Sequence, residues 1–394
     1  MTVRPSAREI WIALLLLWLA GNALRFTLLA VPPVIPLIHD DLHMSAKQVG
    51  ILTGLPSLLL ALAAVPGSLL IARTGVLAAL TVGLLLTAAG GALRGAINDL
   101  MWLYAMTIVT STGVAIMQVA MPPAVRAWVP QSRIAFATAV YTNGLLMGEI
   151  LPVALMLPLV LPLVGTWQWG FAFWSAPVAI IAVLVLLLAP RSATTNAAQT
   201  NRRWWPDWHD PLIWRLGIIL GAVNAVYFGT NAFIPDFLTR HGQGEWISAT
   251  LTALNVGQLP GSFILLAFAS RLQLRVWPFV ASGVLSLIGT AAIVFGTGYL
   301  MVTGAALIGF AAAFILILAL ALPPLLSAPN DVHRLTAAMF TISYTCAVIV
   351  PVISGAAWDL TGVPAMAFAP MAVCCIVLVA LAPAIGHVKP YGER

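Results

Sequence analysis

Long apolar runs, broken by short polar or Gly/Pro-bearing stretches, fill nearly the whole chain. Twelve stand out: 10–38, 48–72, 76–96, 100–121, 134–158, 167–189, 213–237, 246–270, 276–297, 299–322, 335–358 and 364–385. A bilayer core about 30 Å thick takes roughly 20 largely apolar residues to cross as a helix, and every run reaches that length. The runs are continuously apolar rather than alternating over segments of about 10 residues, which excludes a closed β-barrel. The pattern predicts an all-α membrane protein with twelve transmembrane helices.

Composition supports this reading. Only 8% of the 394 residues are charged, against roughly 25% in soluble domains. Cys346 is isolated and Cys374 adjoins Cys375 in an apolar run, so neither a disulfide framework nor a metal-ligand spacing is indicated. A net charge of +6 could signal nucleic-acid binding, but its placement argues otherwise. With the N-terminus in the cytoplasm, only Lys47, Arg94 and Arg240 fall outside and Arg25 falls within a span; every other Lys and Arg lies inside. The positive-inside rule then predicts both termini in the cytoplasm of a multi-pass protein of the cell (inner) membrane. The basic excess is a topology signal, and no nucleic-acid partner is expected. Arg4 and Arg8 before an apolar run fit the start of a signal peptide. That run continues past Arg25 to Ile38, too long for one, so a retained first helix is expected.

The polar stretch 191–211, ending in Trp204, Trp205 and Trp208, separates two sets of six runs. It reads as a cytoplasmic linker followed by an interfacial tryptophan anchor. The two sets share landmarks at a nearly constant offset. Asn22, Ala23, Phe26, Pro33 and Arg73 recur 202 positions later as Asn224, Ala225, Phe228, Pro235 and Arg275. Pro122, Pro123 and Arg133 recur 201 positions later as Pro323, Pro324 and Arg334. Two pseudo-symmetric six-helix halves, 1–190 and 212–394, are the expected signature of a secondary transporter, with its substrate site near midplane between them. Pro32, Pro33 and Pro36 are expected to end the first span, and Pro122-Pro123 and Pro323-Pro324 the fourth and tenth.

Ionisable groups at bilayer depth cost several kcal/mol on the harsher scales, so each needs a partner, a wet cavity or a function. Arg25 and Glu149 are the two that lie clearly in mid-span. A guanidinium stays charged and can grip a small anion through two parallel donors; a carboxylate in such a setting can load a proton. The plain alternative is a structural ion pair. Asn22 shares a helical face with Arg25. Gln118, Tyr141 and Asn143 lie on the fourth and fifth spans, and Asn224, Tyr227 and Asn231 form one stripe on the seventh. Asn255 and Gln258 share a face on the eighth, and Tyr344 lies on the eleventh. For any one of these neutral groups, hydrogen bonding between helices is the simpler role.

Several of these landmarks also form motifs. Arg25 is followed by Pro33 and Pro36; then come Leu52-Thr53-Gly54-Leu55-Pro56, Leu93-Arg94 and Gln118-Val119-Ala120-Met121-Pro122. In these the chain resembles the major facilitator superfamily, and within it the family of cyanate permeases and nitroimidazole transporters. The resemblance covers both halves. It implies alternating access for a small anionic or polar solute, with helices 1, 4, 7 and 10 lining a cavity and 2, 5, 8 and 11 flanking it. Arg25, Asn22, Gln118, Tyr141, Asn224, Tyr227, Asn231 and Tyr344 become expected substrate contacts, and Glu149 a proton-coupling candidate. Two departures stand out: the loop Ser68–Gly75 carries Ala72 where the superfamily has an acid, and Glu149 replaces an expected small residue.

The expected partners are therefore a small-molecule substrate, anionic in the first reading, the lipid bilayer, and a coupling proton or exchange anion. The rival transporter reading is a proton-coupled exporter of drugs or of aromatic or nitro-aromatic compounds. A membrane enzyme is disfavoured, because the spans hold no cluster of His, Asp or Glu suited to catalysis or metal binding. His39, Asp40, Asp41 and His43 read as a solvated external loop. No Gly-rich Walker loop is present for an ATP-driven pump, and no cofactor or metal is expected.

Overall fold

The computed structural model describes residues 7–44, 46–190 and 204–386. Most of the expected linker therefore lies outside the described residues, as do Arg4, Arg191, Arg202, Arg203, Lys389 and Arg394. Every regular element among the described residues is helical. In chain order they are α1 (Ala7–Leu29), α2 (Ala46–Leu62 and Ala64–Thr74), α3 (Val76–Leu93), α4 (Leu100–Trp128), α5 (Ile134–Leu155) and α6 (Trp167–Leu188). After the linker come α7 (Pro211–Arg240), α8 (Ile247–Val256 and Gln258–Leu272), α9 (Trp277–Phe295), α10 (Tyr299–Leu326), α11 (Val332–Thr361) and α12 (Ala369–Leu381). Eleven helices are long and apolar enough to cross a membrane, and twelve when the two segments of α2, bent by 50°, count as one span. Pro66 in the second segment explains the bend, because it lacks the N–H that would close on Leu62 and its ring crowds that carbonyl.

Prolines act differently from expectation at two places. Pro122-Pro123 and Pro323-Pro324 do not end their helices: α4 runs on to Trp128 and α10 to Leu326. Both pairs are fully enclosed by neighbouring side chains, and packed membrane helices tolerate lost backbone bonds where other groups re-satisfy the freed carbonyls. The first half does break where Pro32-Pro33 follows α1, passing through a tight turn (Pro32–Val34) into the short helix Ile35–Asp41. Its repeat partner Pro235 stands alone, and α7 continues through it to Arg240.

The chain divides into two compact units, Met1–Pro206 with Pro329–Ala337, and Asp207–Ala328 with Ala338–Arg394. In the first, the most extensive helix contact joins α1 to α5. Its seam is lined by glycines: a Cβ at Gly21 would collide with the Tyr141 carbonyl, one at Gly144 with Trp18, and one at Gly148 with Asn22. Small residues let membrane helices approach backbone to backbone, which substitutes for the hydrophobic drive that lipid removes. The tryptophan section is also fixed here. Ser68 Oγ donates to the Trp204 carbonyl (2.9 Å) and Arg334 Nε to that of Trp205 (2.8 Å), while the Trp205 ring stays exposed.

Candidate functional site

The close seam between α1 and α5 sets Arg25 against Glu149. Arg25 Nε lies 3.0 Å from Glu149 Oε1, and the side chains are 12% and 23% exposed. Both groups are thus largely, but not wholly, enclosed by the protein. The pair carries no net formal charge, which removes most of the cost of holding either ion at membrane depth.

The same seam gathers other expected residues. Asn22 is 1% exposed; its Nδ2 donates to the Trp18 carbonyl at 2.9 Å, while its Oδ1 is buried without a hydrogen-bond partner. Trp18 Nε1 donates to Asn143 Oδ1 at 3.1 Å, so one turn of α1 is pinned to α5 through side chains as well as glycines. Tyr141 is buried on α5, its backbone against Gly21. Gln118 is buried on α4, which also packs on α1.

In the second unit the expected stripe on α7 enters a neutral network. Tyr227 Oη donates to Asn255 Oδ1 (2.5 Å) and accepts from Gln258 Nε2 (3.0 Å). Asn255 Nδ2 donates to Asn231 Oδ1 (3.3 Å), and Asn231 Nδ2 to the Tyr227 carbonyl (3.1 Å). Asn255 and Gln258 flank the interruption of α8 at Gly257, where a Cβ would meet the Ala306 carbonyl of α10. The network ties α7 to both segments of α8. Asn224 Nδ2 donates to Ser343 Oγ of α11 at 2.8 Å, and Tyr344 stacks on Phe340 with centroids 6.0 Å apart. Arg25 aligns with Tyr227 in the repeat, so the position that is charged in one unit is a phenol in the other.

One feature corrects the reading of the external cluster, and a second adds to the placement of Arg94. Asp41 is not simply solvated: its Oδ2 accepts from Trp167 Nε1 (3.1 Å) and Gln168 Nε2 (3.2 Å) at the start of α6. Arg94, placed outside by the charge pattern, is 1% exposed and donates to the Thr27 carbonyl at 2.7 Å. In sequence it resembles any arginine closing an apolar run at the interface, and nothing in the run signals a partner 67 residues earlier. Among the described residues no group of three or more His, Cys, Asp or Glu is placed to hold a metal ion.

Comparison with known proteins agrees with this architecture. The chain is 27% identical over 283 residues to the cyanate transport protein CynX of Escherichia coli strain K12, covering 72% of this chain and 73% of that one. It is 24% identical over 290 residues to the uncharacterized transporter YycB of Bacillus subtilis strain 168, covering 73% and 71%. It is 28% identical over 236 residues to the 2-nitroimidazole transporter of E. coli strain K12, covering 59% of each. Among solved structures, the transporter FucP in its outward conformation superposes with a TM-score of 0.73 at 16% identity, over 96% of this chain and 99% of that one. The proton:xylose symporter XylE gives 0.74 at 11% identity, over 98% and 97%. The sequence profile of the Major Facilitator Superfamily matches residues 11–274, and the chain, a transporter and not an enzyme, belongs to that superfamily.

Proposed function

We propose that this secondary transporter carries a small anionic solute, of the size and charge of cyanate, nitrite or a short organic acid, across the cytoplasmic membrane by alternating access. Residues 1–190 and 212–394 act as its two repeated halves, with both termini in the cytoplasm as the distribution of basic residues favours. The observation that carries the proposal is the Arg25–Glu149 pair: a guanidinium in mid-span, mostly enclosed and set 3.0 Å from a carboxylate. An anion that takes the guanidinium must share the space with Glu149. Two negative charges beside one positive charge in a poorly screened site repel, so loading the anion is accompanied by proton uptake on Glu149. The cycle then moves one anion with one proton, with no net charge. Asn22, Asn143, Tyr141 and Gln118 supply hydrogen-bonding surroundings on the same unit. In the other unit Tyr227, Asn231 and Asn224 hydrogen-bond among neutral groups and Tyr344 stacks on Phe340.

The test is uptake of labelled cyanate, nitrite and nitrate into proteoliposomes under an imposed pH gradient. R25A is expected to abolish uptake of the carried anion, while E149Q retains exchange of that anion but loses gradient-driven accumulation. Near-normal uptake by R25A would remove Arg25 from the site. The rival reading, export of nitro-aromatic compounds, has in its favour the similarity to the 2-nitroimidazole transporter. It predicts that such compounds raise the melting temperature of the purified protein while the anions do not, since only ligands of the folded state stabilise it.

A further inference from the structure

Arg94 is an arginine that the transport reading does not use. It caps α3, is 1% exposed, and has no carboxylate within ion-pair distance among the described residues. Its guanidinium lies over the Phe171 ring of α6, 5.8 Å from the centroid. Among the described residues Nη1 makes its single hydrogen bond, to Thr27 O at 2.7 Å, and Nε and Nη2 are buried without partners. Burying a charge with most of its donors unused is costly, so its one bond identifies what the burial achieves.

That bond reaches a particular carbonyl. In a continuing helix Thr27 O would accept from Val31 N–H; here Val31 N turns to Leu28 O (3.4 Å) as α1 gives way to the Pro32-Pro33 turn. Arg94 takes the carbonyl the break releases. It also stands at the C-terminal ends of α1 and α3, where the aligned peptide dipoles favour a cation. Thr27 lies two residues beyond Arg25 in the last turn of α1, the turn least held by helical bonding. The glycine seam fixes α1 at Gly21 and Asn22; beyond them, Phe26 packs on Trp174 of α6 and Thr27 on Gly91 of α3, while the backbone carbonyl of Thr27 is taken by Arg94.

We propose that Arg94 is a positioning residue for Arg25: its tether holds the last turn of α1 at the height where the Arg25 guanidinium meets Glu149. The inference rests on the reading of Arg25 as the solute's charge partner. It adds that the geometry of this partner is set from α3, outside the seam, through one carbonyl. Arg94 itself touches no solute.

The test separates the two claims by using a readout that needs no solute. The carboxylate stretch of Glu149 is located in the infrared spectrum of the protein in liposomes as the band lost in E149Q. In R94M, which fills similar space but cannot donate, this band is expected to move. The KM for labelled cyanate is expected to rise about tenfold, as misplacing a binding group by a fraction of an ångström does, with the maximal rate per folded molecule changed less. R94K and R94Q each keep a donor for Thr27 O and are expected to hold the wild-type band, with KM within about threefold. A folded R94M with the band at its wild-type position overturns the proposal. So does a folded R94Q whose band is displaced, since that would place the role in the charge and not the tether; R94Q can overturn the proposal in this way even where R94M does not reach the membrane. Near-normal anion uptake by R25A would refute the transport reading and leave the infrared result standing.

Discussion

Removing one member of the Arg25–Glu149 pair should cost far more than removing both. E149A deletes the carboxylate 3.0 Å from Arg25 Nε and leaves a guanidinium only 12% exposed. Breaking a fully buried pair in this way costs about 3–5 kcal/mol. Because Glu149 is 23% exposed, the pair is not fully enclosed, and a smaller loss of about 2–4 kcal/mol is expected. At roughly 2–4 °C per kcal/mol for a unit of this size, the melting temperature should fall by on the order of 5–10 °C. R25M/E149M replaces both ions with flexible apolar chains of similar volume, a change that is typically neutral or stabilising. The double variant should melt at or above the wild type and carry no anion. Thermal scans of detergent-purified protein, ranked by midpoint because a two-unit chain need not unfold in one step, provide the assay. If E149A melts within a degree or two of the wild type, or the double variant melts as low as E149A, Arg25 is compensated elsewhere and the pair does not hold the seam.

Two further outcomes test the packing around the site. G148V forces side-chain carbons into the Asn22 backbone. It should push α1 from α5, cost at least about 1–3 kcal/mol as overpacking does, and lower cyanate transport together with the melting temperature; unchanged transport and stability would refute the seam. Y227F removes a hydroxyl that serves both Asn255 and Gln258. It should lower stability by about 1 kcal/mol in the same thermal assay, without altering discrimination between anions and neutral solutes, and a change in that discrimination would assign Tyr227 to the solute instead.

The helical architecture was legible because lipid imposes one rule, an apolar run of fixed length with its backbone bonded internally, and the chain obeys it throughout. The Arg25–Glu149 pair was legible for the complementary reason: two charges in apolar runs must answer each other or a solute. What was hidden depends on three-dimensional approach. Proline reads as a stop, yet Pro122-Pro123 and Pro323-Pro324 lie inside their helices, because enclosure by neighbours decides whether lost bonds are tolerated. Arg94 reads as an interfacial residue, yet it is sealed against Thr27 and Phe171. Asn255 and Gln258 were recognised as sharing a face, but their closure with Tyr227 required the register of α7 against α8.

The duplication shows where chemistry has been added to a repeated frame. Asn22 and Asn224 occupy the same place in the two halves, and each hydrogen-bonds its nitrogen, one to Trp18 and the other to Ser343. One turn later the halves part. Arg25 faces an acid, whereas Tyr227 enters a network of phenol and amides. The helices part as well: α1 breaks after Leu29 while α7 runs through Pro235. A broken end frees a carbonyl, and in the first half Arg94 claims it; the unbroken α7 has no such carbonyl at the matching place. Charge, break and cap therefore occur together in one half and are all missing from the corresponding turn of the other. Such a division follows if a single ionic contact is made per transport cycle, because a second buried charge in the repeat would demand its own partner and add desolvation cost without adding a site for a monovalent solute.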